Sequence, residues 1–258
     1  MTAAPAPSLA AIRAAHGAKR GYERCLVLSR WLFRPLGFAA TWALLRLGVS
    51  SEAVSWLSAL VGLSGIAALV AGSEGAGVAG LVLLALFNLL DCVDGSLARS
   101  AGTGNPYGRF LDSACGAVVD LAFWAAVGVA AFRHPAQAGA VAPSLTWLAV
   151  GGAACFLAAL LLVVERAYDE LLAGPWSRLA GAGPPGAIAG SDAPGSLLRQ
   201  LERNLRVRET HYALLAVAWW AAALHVLLAG ALVYYLARVS VTLAVYVRRG
   251  RVVRRAWR

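Results

Sequence analysis

Four apolar stretches follow one another at residues 52–72, 76–98, 107–132 and 144–165, each close to the length a helix needs to cross a bilayer. A further apolar run, 212–247, holds 36 residues, too many for one crossing and enough for two short ones. Its turn is expected near His225 or Gly230. With 60% hydrophobic residues and only 14% charged, the chain lacks the polar surface of a soluble protein of 258 residues. The pattern predicts an all-α integral membrane protein with six transmembrane helices.

Ahead of the first span, residues 23–47 mix an apolar face with Arg24, Arg30, Arg34 and Arg46. Four arginines suit an amphipathic juxtamembrane helix lying in the interface. Residues 1–22 are Ala- and Pro-rich and read as a disordered cytoplasmic arm that includes His16. They contain no apolar core of the kind a cleaved leader needs. The expected organisation is this arm, a single membrane domain over 23–248, and a basic tail at 249–258. The Gly/Pro/Ala-rich stretch 172–196 reads as a flexible loop.

The net charge of +10 is placed unevenly. With six spans, one side receives the basic N-terminal region, the loop 99–106, the loop 166–207 and the basic tail. The other side receives one arginine. The positive-inside rule then puts both termini in the cytoplasm, with the cell membrane as the expected location. Membrane lipid is the partner this charge implies, and nothing suggests nucleic acid. The four cysteines form no CxxC or CxxH pair, which argues against zinc and for small apolar filler.

Charged residues close two of the apolar stretches, in DCVDGSLARSAGTGNPYGRFLDSACG from Asp91 to Gly116. Asp91 and Asp94 share a helix face one turn apart. Gly95 and Ala98 lie near that face and let a ligand or a neighbouring helix approach closely. Asp112 stands four residues after Gly108 on the next span. The connection SAGTGNPY is short, so the two spans are antiparallel neighbours and Asp112 can face the first two carboxylates. Three converging carboxylates repel, and oxygen-only donors select Mg²⁺, Mn²⁺ or Ca²⁺, which commonly work on phosphates. The plain structural alternative is a set of helix-end carboxylates paired with Arg99 and Arg109.

The spacing resembles the signature of the CDP-alcohol phosphatidyltransferase family, D-x-x-D-G-x-x-A-R followed by G-x-x-x-D-x-x-x-D. The stretch LGVSSEAVSWLSALVGLSG resembles the family's entry to its first span, with Ser51 and Glu52 in place of Pro and Asn and Ser55 at the Thr position. Arg208-Glu209 resembles a Glu-Arg feature of some members. The resemblance implies that Asp91, Asp94 and Asp112 bind one or two ions of Mg²⁺ or Mn²⁺. It implies that Gly95, Ala98 and Arg99 lie along the CDP moiety, that Gly108 leaves room for it, and that Ser55 belongs to the substrate site. The implied reaction is attack by an acceptor alcohol on a CDP-linked lipid donor, CDP-diacylglycerol being expected, with release of CMP in phospholipid biosynthesis. A homodimer is also implied.

Gly116 stands where the family carries its fourth aspartate, a metal ligand and the presumed general base. The catalytic base is therefore unknown, with Asp120, Glu209 and His211 as candidates. Asp120 lies eight residues beyond Asp112, about 12 Å along a helix axis, which argues against a simple exchange. A salt bridge, with Arg109 for instance, is the structural alternative for Asp120. An acceptor that carries its own phosphate base is another solution. The sequence leaves three functions open: a transferase, a different phosphate reaction on the same scaffold, or a catalytically impaired member that binds a CDP-lipid or acts as a membrane scaffold. Arg199, Arg203, Arg206 and Arg208 offer a site for an acceptor phosphate or simply follow topology. His134 and His225 are expected at solvated turns, and Trp31, Trp219 and Trp220 as interfacial anchors.

Overall fold

The structure, a computed structural model, describes residues 7–17, 23, 25–173 and 197–256, and every regular element among them is helical. Helix α1 is Leu9–Ala15. A π-helical turn at Ser29–Phe33 leads into α2, Arg34–Arg46. Then follow α3 (Ser51–Val70), α4 (Glu74–Ala101), α5 (Pro106–Arg133), α6 (Leu145–Ala173), α7 (Leu197–Leu205), α8 (Arg208–Trp220) and α9 (Leu224–Ala256). Five of these, α3, α4, α5, α6 and α9, are long and apolar enough to cross a membrane. Helix α8 has 13 residues, a rise of about 20 Å.

Helix ends follow from local chemistry. Ser8, Ser50 and Ser73 cap α1, α3 and α4 by accepting from the N–H three residues on. Helix α4 stops at Gly102, which takes φ 67 while Thr103 N–H closes back onto the Ala98 carbonyl at 3.0 Å. The helix thus runs to Ala101, and the connection is shorter than expected. Between α8 and α9 the same closure forms on an alanine: Ala222 has φ 54 and Ala223 N–H reaches the Ala218 carbonyl at 2.8 Å. The turn therefore falls just ahead of His225, and Gly230 lies inside α9. No glycine marks it, which is why glycine was a poor guide.

Several expected loops are helical instead. Residues 9–15 of the arm form α1, because Ser8 caps it and Ile12 and His16 are buried. Residues 1–6 and 18–22 lie outside the described residues. Helix α6 continues through Ala173, α7 occupies part of the 166–207 loop, and α9 carries the start of the basic tail to Ala256. Of the expected flexible stretch 172–196, residues 174–196 also lie outside the described residues.

The described residues fall into two compact units, one within Met1–Ala122 and Asp192–Val217, the other within Phe123–Ser191 and Ala218–Arg258. The sequence shows no break at either point because both fall inside helices, α5 and α8. In the first unit α3 buries Val54, Ser55, Ser58, Ala59, Gly62, Gly65 and Leu69, a stripe of mostly small residues, while Trp56, Leu57, Leu60 and Leu63 point outward. Large residues on the lipid side and small ones on the packed side are the membrane arrangement. Helices α3 and α4 touch through backbone: a Cβ on Gly80 would sit 2.8 Å from Leu69 N and 2.9 Å from the Gly65 carbonyl oxygen. Helix α2 packs on α4, with Gly37 facing Cys92.

In the second unit Gly128 and Gly151 make the corresponding contact between α5 and α6. Trp124 Nε1 donates to Tyr235 OH at 3.1 Å, and Arg238 pairs with Glu165 at 2.8 Å. Tyr168 stacks on Tyr246 with centroids 3.8 Å apart. His134, expected at a solvated turn, is buried with its ring edge-on to Trp219, and Trp219 is itself only 2% exposed. Each ring supplies the other's cover, so neither faces the interface. Trp31 and Trp220 are exposed.

Gly80→Val is expected to lower the thermal unfolding midpoint of the detergent-solubilised protein, at a cost of about 1–3 kcal/mol for overpacking. Gly75→Val, where an added Cβ meets nothing within 4 Å, is expected to leave it in place. Equal shifts from the two variants would refute the close helix contact.

Candidate functional site

The site is assembled from one helix end after another. Asn105 accepts from Gly108 N–H at 2.8 Å and caps α5, whose first residue is Pro106. That cap fixes the start of α5 beside the end of α4, with four residues between Ala101 and Pro106. The N-terminal turns of α3 and α5 and the C-terminal turns of α4 then surround one cavity of about 590 Å³. Arg34, at the start of α2, closes a further side. Two helix N-termini in one wall favour anionic ligands.

The cavity gathers Asp91, Asp94 and Asp112 with Arg34, Arg99 and Arg109, three carboxylates against three arginines. Ser55, Gly95, Ala98 and Gly108 line it as well, so every substrate and metal candidate read from the sequence meets there. Asp94 is 3% exposed, and two donors hold it. Ser55 Oγ donates to Oδ2 at 2.6 Å, and Gly95 N–H donates to Oδ1. Asp91 is held differently, by Arg208 Nη1 at 2.9 Å. A Cβ on Gly95 would approach Arg99 Nη1, the end of a long side chain, at 3.2 Å.

The three candidate bases stand elsewhere, and none of them lines the cavity. Asp120 pairs with Arg208 Nη2 at 3.1 Å and accepts from Tyr212 OH at 3.5 Å. Its partner is thus Arg208 rather than Arg109. Buried Glu209 accepts from Ser29 Oγ at 2.6 Å. His211 Nε2 donates to the Leu205 carbonyl at 2.9 Å.

Gly116 lies under the same arginine. A Cβ at residue 116 would be 2.8 Å from Arg208 Nη2 and 3.3 Å from Nη1. The guanidinium also lies over the Phe87 ring, 5.1 Å from its centroid. Two further arginines of the expected phosphate set have other partners: Arg206 pairs with Glu202, and Arg203 approaches Cys25 Sγ at 3.5 Å.

Arg34 and Asn105 were missed by sequence reasoning. Arg34 counted only as an interfacial charge, and its place depends on Glu23, which it contacts at 2.5 Å. Glu23 also accepts from His16 Nε2 at 2.6 Å, and His16 Nδ1 faces Arg99 Nη2 at 3.3 Å. Asn105 was legible, because Asn-Pro before a periodic apolar run is an N-terminal helix signal.

Among the described residues no group of three or more His, Cys, Asp or Glu stands close enough to hold a metal ion. Asp94 and Asp112 line the same cavity and are carboxylates of the kind that bind a hard divalent cation together with substrate phosphate oxygens. Asp91 is engaged by Arg208, and residue 116 offers no side-chain ligand.

A helical membrane protein with an acid-and-arginine cavity at the helix ends is the class these features define. The family model for CDP-alcohol phosphatidyltransferase matches residues 49–189, more than half of the chain, and the chain belongs to that family. The family is membrane-embedded, generally depends on divalent metal, and transfers a phosphatidyl group from a CDP-alcohol in phospholipid synthesis. No curated protein matches the chain.

Ser55→Ala is expected to cost about 1.5–3 kcal/mol of stability by removing a hydrogen bond to a buried carboxylate, measured by thermal unfolding in detergent. Ser55→Thr keeps the hydroxyl and is expected to retain most of it. An unchanged midpoint in the alanine variant would mean that Ser55 does not hold Asp94.

Proposed function

We propose that this protein transfers a substituted phosphate from a CDP-linked lipid, CDP-diacylglycerol, to an alcohol acceptor and releases CMP. The observation that carries the reading is the single cavity holding Asp91, Asp94, Asp112, Gly95, Ala98, Arg99 and Gly108 together. The acceptor oxygen forms a bond to the β-phosphorus of the donor, and the bond from that phosphorus to the CMP oxygen breaks. CMP leaves with the electron pair. One ion of Mg²⁺ or Mn²⁺ held by Asp94 and Asp112 would neutralise charge at the pyrophosphate. Gly95 and Ala98 leave room for the nucleotide, and Arg99 and Arg109 offset its phosphate charge.

The acceptor proton needs a base. Gly116 has none, and Asp120, Glu209 and His211 do not line the cavity. An acceptor bearing its own phosphate meets the need, with Arg34 positioned to hold that phosphate. We therefore favour a phosphorylated alcohol over a neutral one. The six-span count with α8 as the fifth crossing, cytoplasmic termini, the cell membrane as location and a homodimer belong to the same reading. The supports are the charge asymmetry and, for the dimer, the family.

The test is CMP release by the purified protein given CDP-diacylglycerol, Mg²⁺ or Mn²⁺, and acceptors with and without a phosphate. Metal-dependent CMP is expected with phosphate-bearing acceptors, and Asp94→Ala and Asp112→Ala are each expected to reduce it by about 100-fold or more. Nucleotide binding without CMP under every acceptor would instead favour a catalytically impaired CDP-lipid binder or membrane scaffold.

A further inference from the structure

The family pattern has a carboxylate at the position of Gly116, and this chain has a cation over it. The Arg208 guanidinium lies so close to Gly116 that a Cβ there would meet Nη2 at 2.8 Å. The same guanidinium reaches Asp91 at 2.9 Å and Asp120 at 3.1 Å, bridging carboxylates from two helices. It is three-quarters covered, with 23% of its side chain exposed, and rests against Phe87. An arginine so engaged is a fixed charge and cannot be deprotonated. A second divalent cation at Asp91 would have to displace it, and would find one carboxylate fewer.

The geometry points to Arg208 as a built-in cation in the place of a second metal ion, so that the site takes one divalent cation. A small residue at 116 makes room for the guanidinium, and the guanidinium removes the need for a ligand there. The inference rests on the transferase reading for the identity of the metal site, but it concerns how many ions the site holds.

The test counts Mn²⁺ bound per chain by equilibrium dialysis with CMP present, against a nucleotide-only control. The unaltered protein is expected to hold one ion. Gly116→Asp alone is expected to remain at one, because the new carboxylate meets Arg208. Gly116→Asp with Arg208→Ala is expected to reach two. No ion or two ions in the unaltered protein would overturn the inference, as would a second ion in Gly116→Asp alone. A properly folded double variant that stays at one would also overturn it. CMP release measured on the same samples separates the two readings. One bound ion without turnover is a failure of the transferase reading alone. Two bound ions with turnover is a failure of this inference alone.

Discussion

Charge inside an apolar helix bundle must be met by counter-charge or by hydrogen-bond donors, and this requirement organises the first unit. Asp91, Asp94 and Asp120 sit on helices whose other residues are mostly apolar, where an unpaired carboxylate is costly. Two solutions serve the three. Asp94 takes a hydroxyl and a backbone N–H, while Asp91 and Asp120 share one arginine. The shared arginine sets where α8 begins relative to α4 and α5, and the adjacent Glu209 reaches Ser29. One ion-pair network thus ties the late part of the chain to the helices that carry the motif.

The long helices were legible because lipid imposes a simple rule on length and hydropathy. The cavity lining was legible where local spacing decides it: Asp91, Asp94, Gly95, Ala98 and Arg99 lie on successive turns of one helix. What could not be read depends on contacts distant in sequence. Arg208 is 117 residues from Asp91, and no spacing links them. Residues 9–15 look like an unstructured arm because their composition is low in large apolar groups. They are ordered by Ile12, His16 and the pairing of His16 with Glu23. Likewise Trp219 reads as an interfacial anchor until His134 is found against it.

The arginines illustrate why residue type alone misleads in such a chain. Positive-inside topology accounts for all but one of them equally well from the sequence. In the structure Arg34, Arg99 and Arg109 line the cavity, Arg208 binds carboxylates beside it, and Arg206 makes an exposed pair with Glu202. Exposure and partner, which sequence does not carry, separate a surface charge from one that shapes a site.

The span between Asp91 and Arg208 has a consequence for how the protein is made. Chains are synthesised at about 5–20 residues per second, so the partner of Asp91 emerges on the order of 10 seconds after it. Throughout that interval the carboxylates on α4 and α5 are inserted or held near the bilayer without their counter-charge. The segment around Cys25 and Val27 waits longer still, because Asn204 accepts from Val27 N–H 177 residues away and donates to the Cys25 carbonyl 179 residues away. The early and late segments of the first unit meet only after the chain between them has been made, so its helices must be stable enough in lipid to wait, uncompleted, for the residue that neutralises them.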